Sequence, residues 1–181
     1  MPAIIECVPN FSEGRDLSII QTIKNEIESV TDVHLLNVDP GKATNRTVIT
    51  FIGEPSAVVE AAFLAIQKAG ELIDMRKHKG EHPRMGATDV CPLIPVSGIT
   101  MEETADWAKK LGERVGKELS IPVYLYEAAQ KNKSRSKGAV IRAGEYEGLP
   151  EKITRPEWRP DFGRAVFDLR RGATVIGARD F

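Results

Sequence analysis

The sequence is poor in the features that mark several classes of protein. It has two cysteines, three histidines and only 6% aromatic residues among 181 positions. It contains no run of about 20 apolar residues, so no segment is expected to span a membrane. Its formal charge of -1 at pH 7 provides no general attraction to nucleic acid. We therefore expect neither a nucleic acid nor a membrane as a partner.

The two cysteines bear on the cellular compartment. Cys7 and Cys91 each lie in an apolar, strand-like run, where we expect buried, reduced thiols. Reduced thiols are typical of a cytoplasmic protein, because disulfides form mainly in oxidising compartments. The hydrophobic fraction of 41% and the charged fraction of 28% are those of an ordinary globular protein. The length suits one domain or two small lobes.

Apolar periodicity divides the chain into strands and helices. Ile20, Ile23 and Ile27 recur at helical spacing, and Thr100 with Glu103 forms a capping box. Residues 10–14 and 39–42 are predicted to be turns, and the chain after Tyr126 is irregular up to residue 172. The predicted strands are 3–9, 33–38, 47–53, 90–96, 123–126 and 173–178, and the predicted helices are 16–30, one that begins near Pro55, and 100–119.

This order of elements predicts an α/β (α+β) sandwich. Its first six elements follow the βαββαβ pattern of ferredoxin-like folds. A further helix and further strands extend this core, and we expect the helices to cover one face of a mixed sheet. The other face would then be available for a ligand or a second lobe.

Residues 78–90 form the segment with the highest density of reactive side chains. Two of the three histidines lie here, with acids, bases, two glycines and a proline around them. Pro83 biases His82 toward an extended conformation, and an imidazole exchanges a proton near neutral pH. Arg84 offers a planar donor fork for a carboxylate, and Asp89 could orient an imidazole or a substrate amine. We predict a functional loop with His82 as its general base and acid.

A zinc site is an alternative for the same residues. His78, Glu81 and His82 match the H-x-x-E-H pattern of one class of zinc proteases. That pattern needs its ligands on one helical face, whereas Gly80 weakens a helix and Pro83 disfavours helical geometry at His82. We therefore predict that no metal is bound.

Two clusters of basic residues are candidates for binding an anionic ligand. The stretch from Ala128 to Arg142 has no acidic residue, and it is either a solvated loop or a site for an anion such as a polycarboxylate. Interleaved stacking aromatics, which single-stranded nucleic acid would require, are missing. The first cluster is Lys131, Lys133, Arg135, Lys137 and Arg142, and the second is Arg164, Arg170 and Arg171.

Several motifs resemble the glutamate formiminotransferase family, specifically the N-terminal half of its transferase region. The resemblance runs nearly from end to end. The motifs are ECVPNFSEG (6–14), TNRT (44–47), GEHPRMGA (80–87), DVCP (89–92), PVYLY (122–126), IRAGEYE (141–147), PDFG (160–163), GAT (172–174) and GAR (177–179).

The resemblance implies a one-carbon transferase of histidine breakdown. Its substrates would be N-formimino-L-glutamate and tetrahydrofolate, which is the one-carbon acceptor, and some relatives use formyl groups. It places the family's catalytic histidine on His82. It also places a folate-contacting stretch on residues 163–172, with Gly163 and Gly172 matching closely and Arg164, Arg170 and Arg171 matching less closely.

Other site residues are suggested by their positions beside predicted strands. Asp39 would orient His82 or steady the cationic formimino group, or it is a plain turn aspartate. Arg46 and Arg84 would contact a substrate carboxylate, although Arg46 could also be an edge-strand charge. Asn10 and Ser12 would bind substrate or folate, or they belong to a helix-capping turn.

The resemblance also concerns domain organisation. In the family a second α/β lobe follows directly and folate lies between the lobes. Residues 1–181 therefore correspond to the N-terminal lobe, and the C-terminal lobe is an expected partner that this chain lacks. We also expect a homo-oligomer. The rival functions are a non-catalytic lobe for folate binding or assembly, and a hydrolase that releases the one-carbon group to water.

Overall fold

A computed structural model describes residues 1–181. It contains seven strands and five α-helices, with short 3₁₀ turns at Met75–Lys77, Lys133–Arg135 and Pro156–Trp158 and a π-helical turn at Val115–Leu119. The strands are β1 (Ile4–Cys7), β2 (Asn10–Phe11), β3 (Val33–Gly41), β4 (Arg46–Gly53), β5 (Thr88–Ser97), β6 (Val123–Glu127) and β7 (Thr174–Ala178). The helices are α1 (Leu17–Glu28), α2 (Pro55–Leu72), α3 (Met101–Arg114), α4 (Gly138–Ile141) and α5 (Glu145–Lys152).

All seven strands form one mixed sheet. β3 pairs with β4, and β1 and β2 together occupy the position between β4 and β5, all in antiparallel pairs. β7 then lies between β5 and β6 and is parallel to both. The order β3, β4, β1, β5 is that of the predicted ferredoxin-like core. The α+β prediction is therefore confirmed, with a parallel extension at one end.

The main hydrophobic core lies between the sheet and helices α1, α2 and α3. Ile23 of α1, Ile66 of α2 and Leu111 of α3 are all buried against strand residues such as Phe51 and Leu93. β4 alternates between partly and fully buried residues along its whole length, as a strand with one covered face must. The capping box of Thr100 and Glu103 is present at the start of α3.

The opposite face of the sheet is covered only in part. Tyr124, Tyr126 and Val175 point to this face and form a second cluster with Ile141 and Leu149 from α4 and α5. The prediction of helices on one face therefore holds for the three long helices and not for the two short ones. An open groove on this side is lined by residues of β2, β4, β5 and β6.

Two segments that were predicted as turns are strands in part, at residues 10–11 and 39–41. Asn10 pairs with Val48 and Val90, so β2 continues the position of β1 after a break at Val8 and Pro9. β3 runs through Asp39 and Pro40 to Gly41. Pro40 is tolerated because β3 pairs only with β4 and is an edge strand, where a missing N–H donor costs little.

The segment between β6 and β7 has more structure than its irregular sequence indicates. It contains α4, α5 and two of the 3₁₀ turns. It also covers the free edge of β6, because the backbone N–H of Leu125 donates to Asp161 Oδ2 over 2.8 Å. No helix in the structure has the length and apolarity needed to cross a membrane.

Candidate functional site

The open groove has a volume of about 540 Å³. Its floor is apolar and comes from Val8, which follows β1, and from residues of β5 and β6 such as Val90 and Tyr126. Arginine, lysine and histidine side chains surround this floor. The basic residues that line the groove are Arg46, His82, Lys137, Arg142 and Arg179.

His82 lies at the edge of this groove and is partly exposed. Its Nδ1 is 2.7 Å from the carbonyl oxygen of Pro83. Because a carbonyl only accepts, Nδ1 must carry the proton in this contact, and the neutral ring then has an unprotonated Nε2. Nε2 makes no hydrogen bond within the protein and is the ring nitrogen suited to receive a proton from a ligand.

Arg46 connects the groove with a smaller hollow that Asp39, Gly41, Thr44 and Val48 also line. Its guanidinium forms no ion pair, and burial lowers its pKa while the nearby Asp89 carboxylate opposes that effect. Asp39 is exposed on the edge strand, beside Arg46 and without a hydrogen bond to His82. The structure thus brings Arg46 to the groove, and Asp39 reaches only the neighbouring hollow.

Asn10 lines the groove from β2 and is only 6% exposed. Its Nδ2 donates to the carbonyl oxygen of Val8 over 3.1 Å. Its Oδ1 is buried and has no hydrogen-bond partner. Unsatisfied buried acceptors are rare in proteins, so this oxygen is a candidate to receive an N–H group from a ligand.

Arg142 directly follows α4 and also lines the groove. Its Nη1 donates to Asp89 Oδ2 over 3.0 Å, and Asp89 Oδ1 accepts the backbone N–H of Met85 over 2.8 Å. Burial raises the pKa of the Asp89 carboxyl, and the Arg142 guanidinium opposes this rise. One buried carboxylate thus links Arg142 to the loop that carries His82.

Arg84, which was predicted to contact a substrate carboxylate, does not line the groove. Its five N–H groups make five hydrogen bonds, which include a bidentate pair with Glu147 at 2.7 and 2.8 Å. The others go to Glu145, His78 Nδ1 and the His78 carbonyl. A guanidinium with all its donors used in this way braces the loop and has none left for a ligand.

Ser12 also supports the loop. It is 3% exposed, and its hydroxyl donates to the carbonyl oxygen of Gly86 over 2.7 Å. Its backbone N–H donates to the Ala87 carbonyl over 2.9 Å. Ser12, which was predicted to bind substrate or folate, does not line the groove but lines a separate pocket with His78 and Arg170. Its two hydrogen bonds fix the end of the His82 loop.

His78 differs from His82 in having both ring nitrogens engaged. Its Nε2 donates to the carbonyl oxygen of Asn45 over 2.8 Å, and Nδ1 accepts from Arg84 Nε over 3.0 Å. Burial lowers the pKa of this imidazole, so the neutral ring is favoured. The zinc alternative required His78 as a ligand, and these two hydrogen bonds would have to break before either nitrogen could bind a metal.

The predicted folate stretch lies away from the groove, because none of residues 163–172 lines it. Arg170 donates to the Glu71 carbonyl at the end of α2, and Arg171 donates to the Leu119 carbonyl over 2.7 Å. Both arginines therefore donate to backbone carbonyls at helix ends. Arg164 is exposed and makes no side-chain hydrogen bond.

The two glycines of that stretch have structural reasons to be glycine. Gly163 has φ +84° and Gly172 has φ +68°, values that residues with a side chain rarely adopt. A Cβ at Gly172 would lie 2.1 Å from the Met85 carbonyl oxygen. Gly172 thus allows β7 to start directly beside the His82 loop.

The basic stretch from 128 to 142 is divided between structural and groove positions. Arg135 is buried and donates to Asp161 Oδ2 over 3.0 Å, which fixes the cover of β6. Lys137 and Arg142 line the groove, and Arg179 joins them from the end of β7. Sequence analysis had named Lys137 and Arg142 only as members of a basic cluster that is either a solvated loop or an anion site, and it had assigned no role to Arg179.

Comparisons with known proteins agree along the whole chain. Residues 4–179 match the family described as the formiminotransferase domain, N-terminal subdomain. A formimidoyltransferase-cyclodeaminase of Rattus norvegicus is 55% identical over 181 residues, which cover all of this chain and 34% of the relative. A glutamate formimidoyltransferase of Thermoplasma acidophilum is 49% identical over 181 residues, which cover 99% of this chain and 59% of the relative. One of Streptococcus pyogenes serotype M1 is 42% identical over 179 residues, which cover 99% of this chain and 60% of the relative. The chain thus spans between a third and three fifths of the relatives' lengths.

Proposed function

The chain belongs to the formiminotransferase N-terminal subdomain family, and from this premise we propose that it is the first lobe of a glutamate formimidoyltransferase. Its proposed reaction moves the formimino group from N-formimino-L-glutamate to tetrahydrofolate. The position of His82 carries the proposal, because this imidazole has one ring nitrogen fixed by the Pro83 carbonyl and the other unengaged at the edge of a basic groove.

The proposed role of His82 is to move one proton twice. The amine of tetrahydrofolate loses a proton as it attacks the formimino carbon, and His82 Nε2 accepts that proton. The C–N bond to the glutamate nitrogen then breaks, and His82 returns the proton to this leaving nitrogen. General acid–base catalysis of this kind typically contributes about 10²–10⁴-fold to the rate.

The groove has the chemical character that these substrates require. Formiminoglutamate has two carboxylates, and Arg46 and Arg142 supply guanidinium groups on the groove wall. The apolar floor that includes Val8, Val90 and Tyr126 suits the flat ring system of a folate. Some of the predicted site residues lie outside this groove, namely Asp39 and residues 163–172, which include Arg164, Arg170 and Arg171. Their predicted contacts with substrate or folate would require another surface, one that faces the second lobe.

A C-terminal lobe is the proposed partner that completes the site. The chain covers about three fifths of the two shorter relatives, so a second segment of moderate size follows in those proteins. A lobe placed over the open face would enclose the groove and exclude water, which protects the one-carbon group from hydrolysis. A cytoplasmic location and a homo-oligomer also stay predictions.

A transfer assay tests this proposal. We would fuse residues 1–181 to the remaining part of the Thermoplasma acidophilum relative and measure formation of formiminotetrahydrofolate from formiminoglutamate. We expect turnover by the fusion and none by the isolated chain. A folded fusion that binds folate without transfer would favour the non-catalytic alternative, and release of the one-carbon group to water would favour the hydrolase.

A further inference from the structure

The groove contains two buried polar atoms without partners. They are Asn10 Oδ1, which is an acceptor, and Arg142 Nε, which is a donor. Only two other buried side-chain atoms in the protein are unsatisfied, Thr88 Oγ1 and Arg135 Nε, and neither Thr88 nor Arg135 lines the groove. Half of the unsatisfied atoms thus belong to residues that line the groove, and unsatisfied buried polar atoms are rare in proteins.

Arg142 is held at one side of its guanidinium only. Nη1 binds Asp89, whereas neither Nη2 nor Nε has an acceptor in the protein. Nε and Nη2 form the side edge of a guanidinium, and that edge matches the two oxygens of a carboxylate. Because Nε is buried and the side chain is 23% exposed, an incoming carboxylate would meet Nη2 first.

We propose that Arg142 binds a carboxylate of the amino-acid donor and that Asp89 is the positioning residue that holds Arg142 for this contact. The inference rests on the proposed function, since it assigns the donor end of the same groove. Asn10 lines the same groove, and its unpartnered Oδ1 suits the N–H of an amidine on the same ligand. The expected ligand class is an N-substituted acidic amino acid.

Asp89 can fix this geometry because its own side chain is held by burial and by a second hydrogen bond. Its side chain is 3% exposed, and its second oxygen is bonded to the backbone of Met85. The Met85 carbonyl in turn accepts the N–H of Ala173 over 3.0 Å, at the start of β7. Asp89 therefore ties Arg142 to the end of the His82 loop that lies beside the start of β7.

Calorimetric titration of the chain tests the carboxylate contact. The probes are N-formimino-L-glutamate and glutarate, which has two carboxylates and no amidine. Arg142→Gln should weaken binding of both by about 10- to 100-fold, because a hydrogen-bonded charge is lost. Arg142→Lys should recover only part of the affinity, since a lysine lacks the paired donors. Arg159→Gln is the matched control, because Arg159 is exposed and its side chain makes no hydrogen bond.

The outcomes of the titration separate this inference from the proposed function. Unchanged affinity of Arg142→Gln for both probes overturns the inference. The proposed function is tested separately, by the transfer assay on the fusion. Absence of binding by the unaltered chain also overturns the inference. A second readout is the Nε–H signal of Arg142 in ¹H–¹⁵N spectra, which should move when either probe is added.

A double-mutant cycle tests the positioning role of Asp89. Asp89→Asn retains an acceptor for the Met85 N–H and removes the charge that holds Arg142. We expect a loss of affinity of about 3- to 10-fold in Asp89→Asn and no further loss when it is added to Arg142→Gln. Losses that multiply would show that Asp89 acts independently of Arg142 and would overturn its role. Thermal unfolding checks that each variant is folded. If Asp89→Asn does not fold, the binding measurements on Arg142→Gln still test the carboxylate contact.

Discussion

His78 and His82 lie four residues apart on one loop, and the protein uses them in opposite ways. His78 is buried, with one ring nitrogen donating to Asn45 and the other accepting from Arg84. His82 is partly exposed at the groove, with only Nδ1 engaged. The histidine at position 78 therefore supports the loop, whereas the histidine at position 82 has a ring nitrogen that is free to bind a ligand.

Arg84 and Arg142 repeat this difference. Arg84 uses its five N–H groups in five hydrogen bonds, two of them to Glu147. Arg142 makes one hydrogen bond to Asp89 and keeps its other donors without acceptors beside the groove. A polar group that the protein satisfies completely supports structure, and one that it leaves partly unsatisfied in a concave site is a candidate for binding.

The largest expected effect is that of His82→Ala on catalysis. In the two-lobe fusion, turnover should fall by about 10²–10⁴-fold because the proton shuttle is lost. The temperature of unfolding should stay nearly unchanged, since the imidazole makes a single hydrogen bond to the adjacent residue. His34→Ala is the matched control, because His34 is exposed on the edge strand β3. Turnover of His82→Ala close to that of the control would remove His82 from the mechanism.

Arg84→Gln should show the largest loss of stability in the loop. The change removes a buried guanidinium and leaves His78 Nδ1 and the His78 carbonyl without donors. We expect the free energy of unfolding to fall by about 2–4 kcal/mol, which urea denaturation would measure. The matched change Arg155→Gln removes an exposed pair with Glu151 and should cost under about 1 kcal/mol. Equal losses in the two variants would contradict the bracing role of Arg84.

His78→Ala should destabilise the protein by about 1–3 kcal/mol, because Arg84 Nε and the Asn45 carbonyl both lose a partner. The comparison with His82→Ala is the informative one. We expect His78→Ala to change stability more and turnover less than His82→Ala does. The same denaturation and transfer measurements on both variants decide this, and the reverse ranking would show that the roles of the two rings were assigned wrongly.

The smallest expected effect concerns acid stability. The Arg84 side chain lowers the pKa of Glu147 from 4.5 to about 2. Because the folded-state pKa is the lower one, this pair stabilises the fold above pH 4.5, and its contribution is lost as the pH falls toward 2. Glu147→Gln should remove less than about 1 kcal/mol of this dependence, since Glu147 is largely exposed. Urea denaturation of the unaltered chain and of Glu147→Gln, above pH 4.5 and near pH 2, measures this contribution, and a stability difference that does not change with pH would contradict it.

Local sequence pattern predicted the parts of the fold that depend on local physics. The spacing of Ile20, Ile23 and Ile27 fixed the buried side of α1, and the Thr100 capping box fixed the start of α3. The pattern predicted wrongly at Asp39 and Pro40, because the sequence does not show that β3 lies at the edge of the sheet. Edge position depends on which strands pair, and pairing is a property of the whole chain.

By itself the sequence determined the βαββαβ order, the reactive loop and the prediction that His82 is its acid–base residue. Tertiary structure alone decided which polar residues support the fold and which line the groove. β7 enters between β5 and β6, and this long-range pairing directs Arg170 and Arg171 toward helix ends while the segment before it brings Arg142 to the groove. No local pattern carries that information, because a donor becomes satisfied or unsatisfied only when residues far apart in the chain meet.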